Sequence, residues 1–162
     1  LAKKRISGKC KCDRYIAYFQ SYTNTYGDVD ALREKFLAAA RRDDIAAVSI
    51  ASRPDCFDPE VIDMIKDIIA VKPVWIELGL QTANDRTAQL INRCYDISVY
   101  DETMNRLREL GVHIIVHMII GLPGETKEDM LDTVRYIVQS GANGIKLQLL
   151  HVLRGTVLEK MY

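Results

Sequence analysis

The chain has 162 residues, of which 48% are apolar, and its 22 basic side chains balance 22 acidic ones to give a net charge of zero. This composition excludes an intrinsically disordered chain and a uniformly basic nucleic-acid-binding domain. No apolar run approaches the roughly 18 residues that a membrane-spanning helix needs. The length suits one domain with a sizeable core, so we expect a single domain over residues 1–162.

Basic residues are concentrated at the start of the chain. Residues 1–14 carry one acid, Asp13, against Lys3, Lys4, Arg5, Lys9, Lys11 and Arg14. Such a segment can contact RNA, but a solvated segment that precedes the domain is the favoured interpretation. The βα units are then expected over residues 15–162.

Short apolar runs alternate with helical patterns along the rest of the chain. The predicted strands are Arg14–Ser21, Ile45–Ala51, Val74–Leu80, Val112–Ile120 and Gly144–Val152. The predicted helices are Asp28–Arg42, Asp58–Ala70, Asp85–Asn92, Tyr100–Leu110, one that begins at Thr126 and is closed by Gly141, and a short one at 156–161. The strands recur at roughly 30-residue intervals, which is typical of βα units and a parallel sheet.

Helix signals add detail to two of these helices. Asp58 followed by Pro59 predicts an N-cap and first helical residue, and Thr126 with Asp129 resembles a capping box. The stripe expected to be buried on the last long helix is Met130, Val134, Ile137 and Val138.

Polar residues follow the carboxyl ends of all five predicted strands, at Gln20–Ser21, Ser52–Asp55, Gln81–Thr82, Gly121 and His151. An open doubly wound sheet concentrates its ligands at one switch point, whereas a barrel uses the ends of many strands. A complete eight-unit barrel takes about 250 residues. The sequence therefore predicts a partial α/β barrel with parallel strands, whose remaining part lies before Leu1, after Tyr162, or both.

Two candidate segments follow the first two strands. Gln20, Ser21, Thr23 and Asn24 supply uncharged donors and acceptors that suit an amino-acid-like group, or they satisfy a turn. Arg53 and Asp55 form either a clamp for a carboxylate or phosphate, or a structural ion pair, which is slightly favoured.

The third strand carries Glu77, Gly79 and Gln81 at alternate positions, so they are expected on one face. A buried glutamate is costly unless it is paired, which favours a polar site in the barrel interior. Arg93 at the end of the next helix either reaches back to this site or stabilises the helix terminus.

The fourth strand leads into Gly121-Leu122-Pro123-Gly124. This corner lacks the Lys and Ser/Thr of a phosphate loop, and Glu125 would repel phosphate. A base edge or ribose approaching the glycine backbone fits better. His117 before it is more often a core residue than a functional one. The last strand adds Lys146, Gln148, His151 and Arg154, which either form a site wall or lie on a half-exposed strand.

The four cysteines, Cys10, Cys12, Cys56 and Cys94, show neither a zinc pattern nor a redox pair. We expect isolated thiols, which indicate a reducing, cytoplasmic setting.

Five motifs in order carry a family resemblance: YFQSYTNTY, SIASRPDCF, ELGLQTANDRTAQLINR, MIIGLPGET and KLQLLHVLRGT. The chain resembles radical S-adenosylmethionine (radical SAM) proteins from about Tyr15 to Tyr162. The pattern is closest to the YhcC-like branch, which is similar to the catalytic subunit of elongator and, more distantly, to coproporphyrinogen dehydrogenase. The resemblance implies a six-stranded partial (β/α)6 barrel, of which the five strands here are the second to sixth. It also implies a [4Fe-4S] cluster and reductive cleavage of S-adenosylmethionine (SAM) to a 5′-deoxyadenosyl radical.

The resemblance assigns roles by position. The segment of Gln20, Ser21 and Asn24 replaces a glycine-rich motif near the methionine amino group, and Gln81 and Arg93 match positions near the ribose and carboxylate. Gly121 to Gly124 match the adenine-side loop, and His117 matches an acid near the nucleoside. Ala51 replaces a common Glu, so Arg53 and Asp55 are expected to take over its role. The SAM-binding residues predicted are Gln20, Ser21, Asn24, Arg53, Asp55, Glu77, Gln81, Arg93, His117, Gly121, Pro123, Gly124 and His151.

The chain departs from the family in lacking the three-cysteine motif that binds the cluster. We expect the first strand and this motif upstream of Leu1, and we expect this fragment alone to hold neither cofactor and to be inactive. The resemblance implies an electron donor such as flavodoxin or ferredoxin, no membrane, and a tRNA substrate by analogy with elongator. Two alternatives stay open: an RNA-binding barrel without chemistry, and a non-redox lyase or isomerase that uses Glu77 or a lysine.

Overall fold

The computed structural model describes residues 12–161. Its strands are β1 Tyr15–Phe19, β2 Ile45–Ser52, β3 Val74–Gln81, β4 His113–Ile120 and β5 Gly144–Leu149. Its helices are α1 Val29–Ala40, α2 Pro59–Ile69, α3 Asp85–Leu90, α4 Ile97–Glu109 and α5 Lys127–Gln139, with 3-10 turns at Pro54–Cys56 and Leu158–Met161. Most of the basic segment predicted for residues 1–14 lies outside the described residues.

The five strands form one parallel sheet in the order β1-β2-β3-β4-β5. A doubly wound sheet reverses its strand order at a switch point, and this sheet does not. The sheet is instead a half-barrel with helices between its strands, which confirms the predicted partial barrel. The carboxyl ends of all five strands meet at one mouth, where the predicted polar segments lie.

The hydrophobic core lies between the outer face of the sheet and the helices. Alternate residues of β2 to β4 are almost completely buried there: Val48, Ile50, Ile76, Leu78, Ile114 and Val116. α1 contributes Phe36 and Ala40, and α2 contributes Met64, Ile65 and Ile68. Both faces of these strands are therefore covered in their central part, as their continuous apolar runs predict.

Three details of the predicted helices are corrected. Val138 is 63% exposed, because Thr133 rather than Val138 completes the buried side of α5 with Ile137. Asp58 lies at the N-cap of α2, but its side chain makes no capping hydrogen bond within residues 12–161. The helix predicted from Tyr100 begins at Ile97. The capping box of Thr126 and Asp129 is confirmed.

Two further sequence expectations meet a direct observation. Cys12 is disulfide-bonded, so the prediction of isolated thiols is wrong for that residue, whereas Cys56 and Cys94 are free. Among the helices within residues 12–161, none combines the length and apolarity that crossing a membrane requires.

Candidate functional site

Two adjoining cavities open at the mouth of the half-barrel. The outer cavity has a volume of about 300 Å³ and is lined mainly by apolar and aromatic side chains, together with Arg53 and Arg93. The lumen cavity has a volume of about 220 Å³ and is lined mainly by polar side chains, among them Gln20, Thr23, Glu77, His117 and Gln148. Arg53, Gly79 and Gln81 line both cavities, so the two form one continuous cleft.

Gln81 lies at the junction of the cavities in an unusual backbone conformation. Its φ is +72°, and the register of β3 against β4 shifts between Gly79 and Gln81. This bulge turns the Gln81 side chain into the cleft beside Gly79, as bulges next to sites commonly do. The Oε1 atom of Gln81 is buried without a hydrogen-bond partner in the described structure. Leaving a buried acceptor without a hydrogen bond is energetically costly, so a ligand that donates a hydrogen bond to this atom is favoured.

Gly79 keeps the junction open. A Cβ atom at this position would lie 2.8 Å from the Nε2 atom of Gln81. Any larger residue would therefore displace the Gln81 side chain. The glycine therefore leaves space for the Gln81 side chain beside it.

Glu77 is the centre of a polar network that we call the lumen cluster: Tyr18, Ser49, Glu77, His117 and Lys146. Its Oε2 accepts hydrogen bonds from the Tyr18 hydroxyl at 2.8 Å and from Lys146 Nζ at 3.0 Å, and it lies 2.6 Å from His117 Nε2. Its Oε1 accepts from Ser49 Oγ at 3.0 Å. These five residues come from all five strands, so the predicted buried carboxylate is paired.

Lys146 also donates to the Tyr18 hydroxyl at 2.6 Å. Tyr18 belongs to β1 and Lys146 to β5, the two edge strands of the sheet. The sheet is therefore curved enough for its opposite edges to meet through side chains across the lumen. Glu77 and His117 of the lumen cluster line the lumen cavity.

The network determines the protonation of its members. Burial raises the pKa of Glu77, but hydrogen bonds from Lys146, Tyr18, His117 and Ser49 outweigh it and lower the pKa to about 2. Burial lowers the pKa of His117 below its usual value, although the contact with Glu77 opposes this effect. At neutral pH the cluster thus combines a carboxylate, an ammonium group and an uncharged imidazole.

Arg53 and Asp55 form the structural pair that the sequence favoured. Arg53 Nε and NH2 donate to the two carboxylate oxygens of Asp55 at 2.9 and 2.7 Å. The guanidinium group of Arg53 also lies 5.5 Å from the centre of the Tyr95 ring. Arg53 therefore lines the cleft while two of its guanidinium nitrogens are bonded to Asp55. Asp55 itself lines a separate cavity beside Cys56.

Arg93 is buried beneath the outer cavity. It donates to the backbone carbonyls of Thr82 at 2.8 Å and Tyr95 at 3.1 Å, and its guanidinium group lies 4.6 Å from the centre of the Tyr95 ring. The Tyr95 hydroxyl donates to the carbonyl of Gly79. These bonds hold the turn after β3, so Arg93 and Tyr95 fix the backbone on either side of Gln81.

The Gly121–Gly124 corner contributes Leu122 to the outer cavity. Gly121 has a φ of +85° and Gly124 a φ of +78°. A Cβ atom at either position would meet no described protein atom within 4 Å. The glycines are therefore required by the turn itself, which directs Leu122 into the cleft while Gly121, Pro123 and Gly124 lie outside the lining.

Other predicted residues lie near the cleft without lining it. Ser21 is exposed, and Asn24 uses its amide to bind the carbonyls of Phe19 and Ala51 at 3.0 and 2.9 Å. His151 is exposed and lines a neighbouring depression. The structure adds Tyr18, Ser49 and Tyr95, which sequence reasoning missed because a lone polar residue in a strand or loop carries no signal of its partners.

A cluster of four irons is not accommodated by the described side chains. Within residues 12–161, no three His, Cys, Asp or Glu side chains come together in a way that could hold a metal ion. The cleft provides hydrogen-bonding groups and apolar surfaces that suit an organic ligand.

Comparison with known proteins identifies the family. Residues 7–137 match the Radical SAM superfamily. The chain belongs to this superfamily. It is 44% identical over 160 residues to the protein YtqA of Bacillus subtilis (strain 168), covering 99% of this chain and 50% of YtqA. It is 39% identical over 155 residues to the protein YhcC of Escherichia coli (strain K12), covering 94% of this chain and 50% of YhcC. The chain thus spans about half the length of these relatives.

A tRNA-2-methylthio-N(6)-dimethylallyladenosine synthase of Leifsonia xyli subsp. xyli is more distant. It is 31% identical over 120 residues, which cover 72% of this chain and 22% of the synthase. Among solved structures, Elp3 of the archaeon Methanocaldococcus infernus superposes with a TM-score of 0.81 and 16% identity, covering 98% of this chain and 42% of Elp3. This superposition confirms the radical SAM type of half-barrel.

Proposed function

We propose that this chain forms the SAM-binding cleft of a radical SAM enzyme. The observation that carries the proposal is the unpaired Oε1 of Gln81, buried where the outer and lumen cavities join. Family membership supports SAM as the cofactor, and the cleft supplies an acceptor, apolar surfaces and neutral polar groups in a suitable order along it.

The outer cavity suits the nucleoside. Ile119, Leu122 and Leu150 offer apolar surface to a flat base, and Tyr95 closes the same cavity. Gln81 Oε1 accepts a hydrogen bond from a ribose hydroxyl at the junction. The Gly121–Gly124 corner acts through Leu122, which it holds against the adenine side.

The lumen cavity suits the methionine end. Gln20 and Thr23 provide neutral hydrogen-bonding groups near the end of β1, and Arg53 lies between the two cavities. Asn24 supports this end indirectly, by holding the β1 loop against Ala51. Because the segment lacks the family's glycine-rich motif, side-chain amides replace backbone groups in this role.

The iron–sulfur cluster belongs to the rest of the protein in this proposal. When bound, SAM and the cluster would supply one-electron reductive cleavage of a carbon–sulfur bond and, through it, hydrogen-atom abstraction from a substrate. The residues described here bind and orient the cofactor and exclude water from its reactive end. On its own the chain is accordingly expected to be inactive, and flavodoxin or ferredoxin is the proposed electron donor in a cytoplasmic setting.

A tRNA is the proposed substrate class. The support is similarity to a protein named as a tRNA-2-methylthio-N(6)-dimethylallyladenosine synthase and the fold shared with Elp3. This part of the proposal is an analogy, since one fold serves many substrates.

Binding of SAM to the full-length, iron-reconstituted protein tests the cleft. We expect Gln81→Ala to weaken SAM binding about tenfold by isothermal titration calorimetry, because one buried hydrogen bond is lost. Gln89→Ala on the exposed side of α3 is the matched control and should bind as the wild type does. If Gln81→Ala binds SAM as tightly as the wild type, the assignment of Gln81 is wrong. If the wild type forms no 5′-deoxyadenosine with dithionite, the proposed enzyme class is wrong.

Comparison of tRNA from strains with and without the full-length gene tests the substrate class. We expect one modified nucleoside to disappear from the digested tRNA of the deletion strain by mass spectrometry. An unchanged nucleoside profile would argue against tRNA while leaving the SAM proposal standing. Turnover of another compound without iron would favour the non-redox barrel enzyme instead.

A further inference from the structure

The lumen cluster has more polar chemistry than cofactor binding requires. It joins a carboxylate, an imidazole, an ammonium group and two hydroxyls from five different strands, and its Glu77 and His117 line the lumen cavity. Burying Ser49, Glu77 and His117 is unfavourable compared with burying apolar side chains of similar volume. These polar side chains are therefore expected to contact a polar group of a ligand, to which an apolar surface could not form hydrogen bonds.

His117 is the member of this cluster that faces the lumen cavity with a free nitrogen. Its Nε2 lies 2.6 Å from Glu77 Oε2. Its Nδ1 has no hydrogen-bond partner among residues 12–161, and the ring lines the lumen cavity. A carboxylate that accepts from one ring nitrogen fixes the tautomer, which leaves the other nitrogen as a proton acceptor.

The protonation of the two partners is consistent with this arrangement. Glu77 remains ionised at neutral pH, so Nε2 is held as the N–H donor. Burial lowers the pKa of His117, and the ammonium group of Lys146 acts in the same direction, so the ring is uncharged at pH 7. An uncharged imidazole with a fixed tautomer is the form in which histidine accepts a proton.

We propose that Glu77 and His117 form a proton-accepting dyad that acts on the substrate of this enzyme on the β3–β4 side of the lumen cavity, across from the Gln20 and Thr23 side assigned to the methionine end. The inference rests on the proposed radical SAM function and adds the step that follows binding of the substrate. The substrate group it fits is an uncharged N–H or O–H group, because the lumen cluster has no net charge and Gln148 offers an amide beside it.

The proton transfer is balanced within the cluster. An N–H or O–H bond of the substrate breaks, its electron pair stays on the substrate, and the proton forms a bond to Nδ1 of His117. The ring becomes an imidazolium ion whose Nε2–H remains on Glu77. Three groups face this change: Glu77 of β3 stabilises the new charge, Lys146 of β5 opposes it, and the neutral Tyr18 of β1 bridges the two. The proton then returns to product or to water.

Nitrogen-detected NMR of the iron-free full-length protein tests the ground state. The His117 ring is assigned by the signals that disappear in His117→Gln. We expect an Nε2–H tautomer at pH 7 that becomes protonated at a lower pH than an exposed histidine. In Glu77→Gln the fixed tautomer should be lost. An Nδ1–H tautomer, or a ring already charged at pH 7, would overturn the proposal.

Turnover tests the role. The assay uses full-length, iron-reconstituted protein with SAM and dithionite. The probes are the RNA fraction and the small-molecule fraction from a strain that lacks the gene. The measured quantity is the rate of 5′-deoxyadenosine formation with each fraction, divided by the rate without it. We expect His117→Gln to reduce that ratio at least about 100-fold. The wild-type rate should increase with pH in the range below 6.5, and the variant should lack this increase.

His113→Gln is the matched control, because it makes the same substitution at the opposite end of the same strand, where His113 is exposed beside Trp75. It should retain the wild-type ratio and pH profile. If His117→Gln also retains them, the dyad is wrong although the radical SAM function stands. If the wild type forms no 5′-deoxyadenosine at all, the proposed function itself fails.

Discussion

The two faces of β3 have different roles: one packs in the hydrophobic core and the other lines the cleft. Ile76 and Leu78 point outward and are completely buried in the hydrophobic core. Glu77 and Gly79, each one residue away, point into the lumen and line the cleft. Because side chains alternate across a strand, one eight-residue segment carries both the packing that stabilises the barrel and the groups that can act on a ligand.

The faces differ in how their stability depends on conditions. The outer face is held by apolar burial, which has no direction and tolerates neighbours of similar volume. The lumen face is held by hydrogen bonds and charges that must all be present together. Substitutions on the outer face should therefore change the free energy of unfolding according to the side-chain volume they remove. Substitutions on the lumen face should change it according to charge and pH.

Removing volume from the outer face should have the largest effect. Leu78→Ala is expected to reduce the free energy of unfolding by about 3–5 kcal/mol, because it leaves a cavity in a fully buried region. Leu153→Ala is the control, since Leu153 is 66% exposed, and it should change stability by less than about 0.5 kcal/mol. Urea denaturation measures both. Equal effects would mean that the outer face is not the main source of stability.

Removing the cation from the lumen cluster should come next. Lys146→Met leaves Glu77 buried without its ammonium partner and is expected to cost about 3 kcal/mol. Lys66→Met breaks the exposed pair with Asp63 and should cost less than about 1 kcal/mol. Adding Glu77→Gln to the Lys146 variant should recover part of the loss in the same denaturation assay. No recovery would show that Lys146 contributes by packing rather than by charge.

The pH dependence of stability should isolate Glu77. Its pKa falls from 4.5 to about 2 on folding, so the unfolded state binds more protons between these values. The contribution of Glu77 is complete above pH 4.5 and is lost as pH falls toward 2, which amounts to about 2–3 kcal/mol. Denaturation midpoints of the wild type and Glu77→Gln should converge over this range. Parallel curves would contradict the shifted pKa.

The smallest change in stability should accompany a change in ligand affinity. Gly79→Ala brings a Cβ atom to 2.8 Å from Gln81 Nε2, the mobile end of a side chain that can move away. We expect less than about 1 kcal/mol of destabilisation, together with about tenfold weaker SAM binding in the full-length protein. Gly111→Ala is not a suitable control, because Gly111 has a φ of +69°. Ala83→Gly removes a methyl group outside the linings of both cavities and serves instead.

The outer face could be predicted from the sequence because its signals are local. The alternation of apolar runs with helical patterns predicted five strands in the correct order, and the capping box of Thr126 and Asp129 needed only two residues three positions apart. Val138 was misassigned because periodicity counts apolar residues, and Thr133 occupied the buried position.

The lumen face could be predicted only in part. The pattern correctly indicated Glu77, Gly79 and Gln81 in a polar site, but the bulge that turns Gln81 inward has no sequence signature here. Tyr18 and Lys146 are 128 positions apart, and their contact depends on the curvature of the whole sheet. Local patterns do not carry that information.

The bridge between Tyr18 and Lys146 also has a consequence for the order of assembly. β1 to β3 leave the ribosome well before β5, and N-terminal parts generally begin to fold first at about 5–20 residues per second. Until Lys146 arrives, Glu77 lacks its only ammonium partner in the lumen cluster, so a chain that stops short of β5 holds an uncompensated buried carboxylate. Electrostatics thus makes β5 a requirement for the stability of β3, and a nascent chain that lacks β5 remains distinguishable from one that has added it.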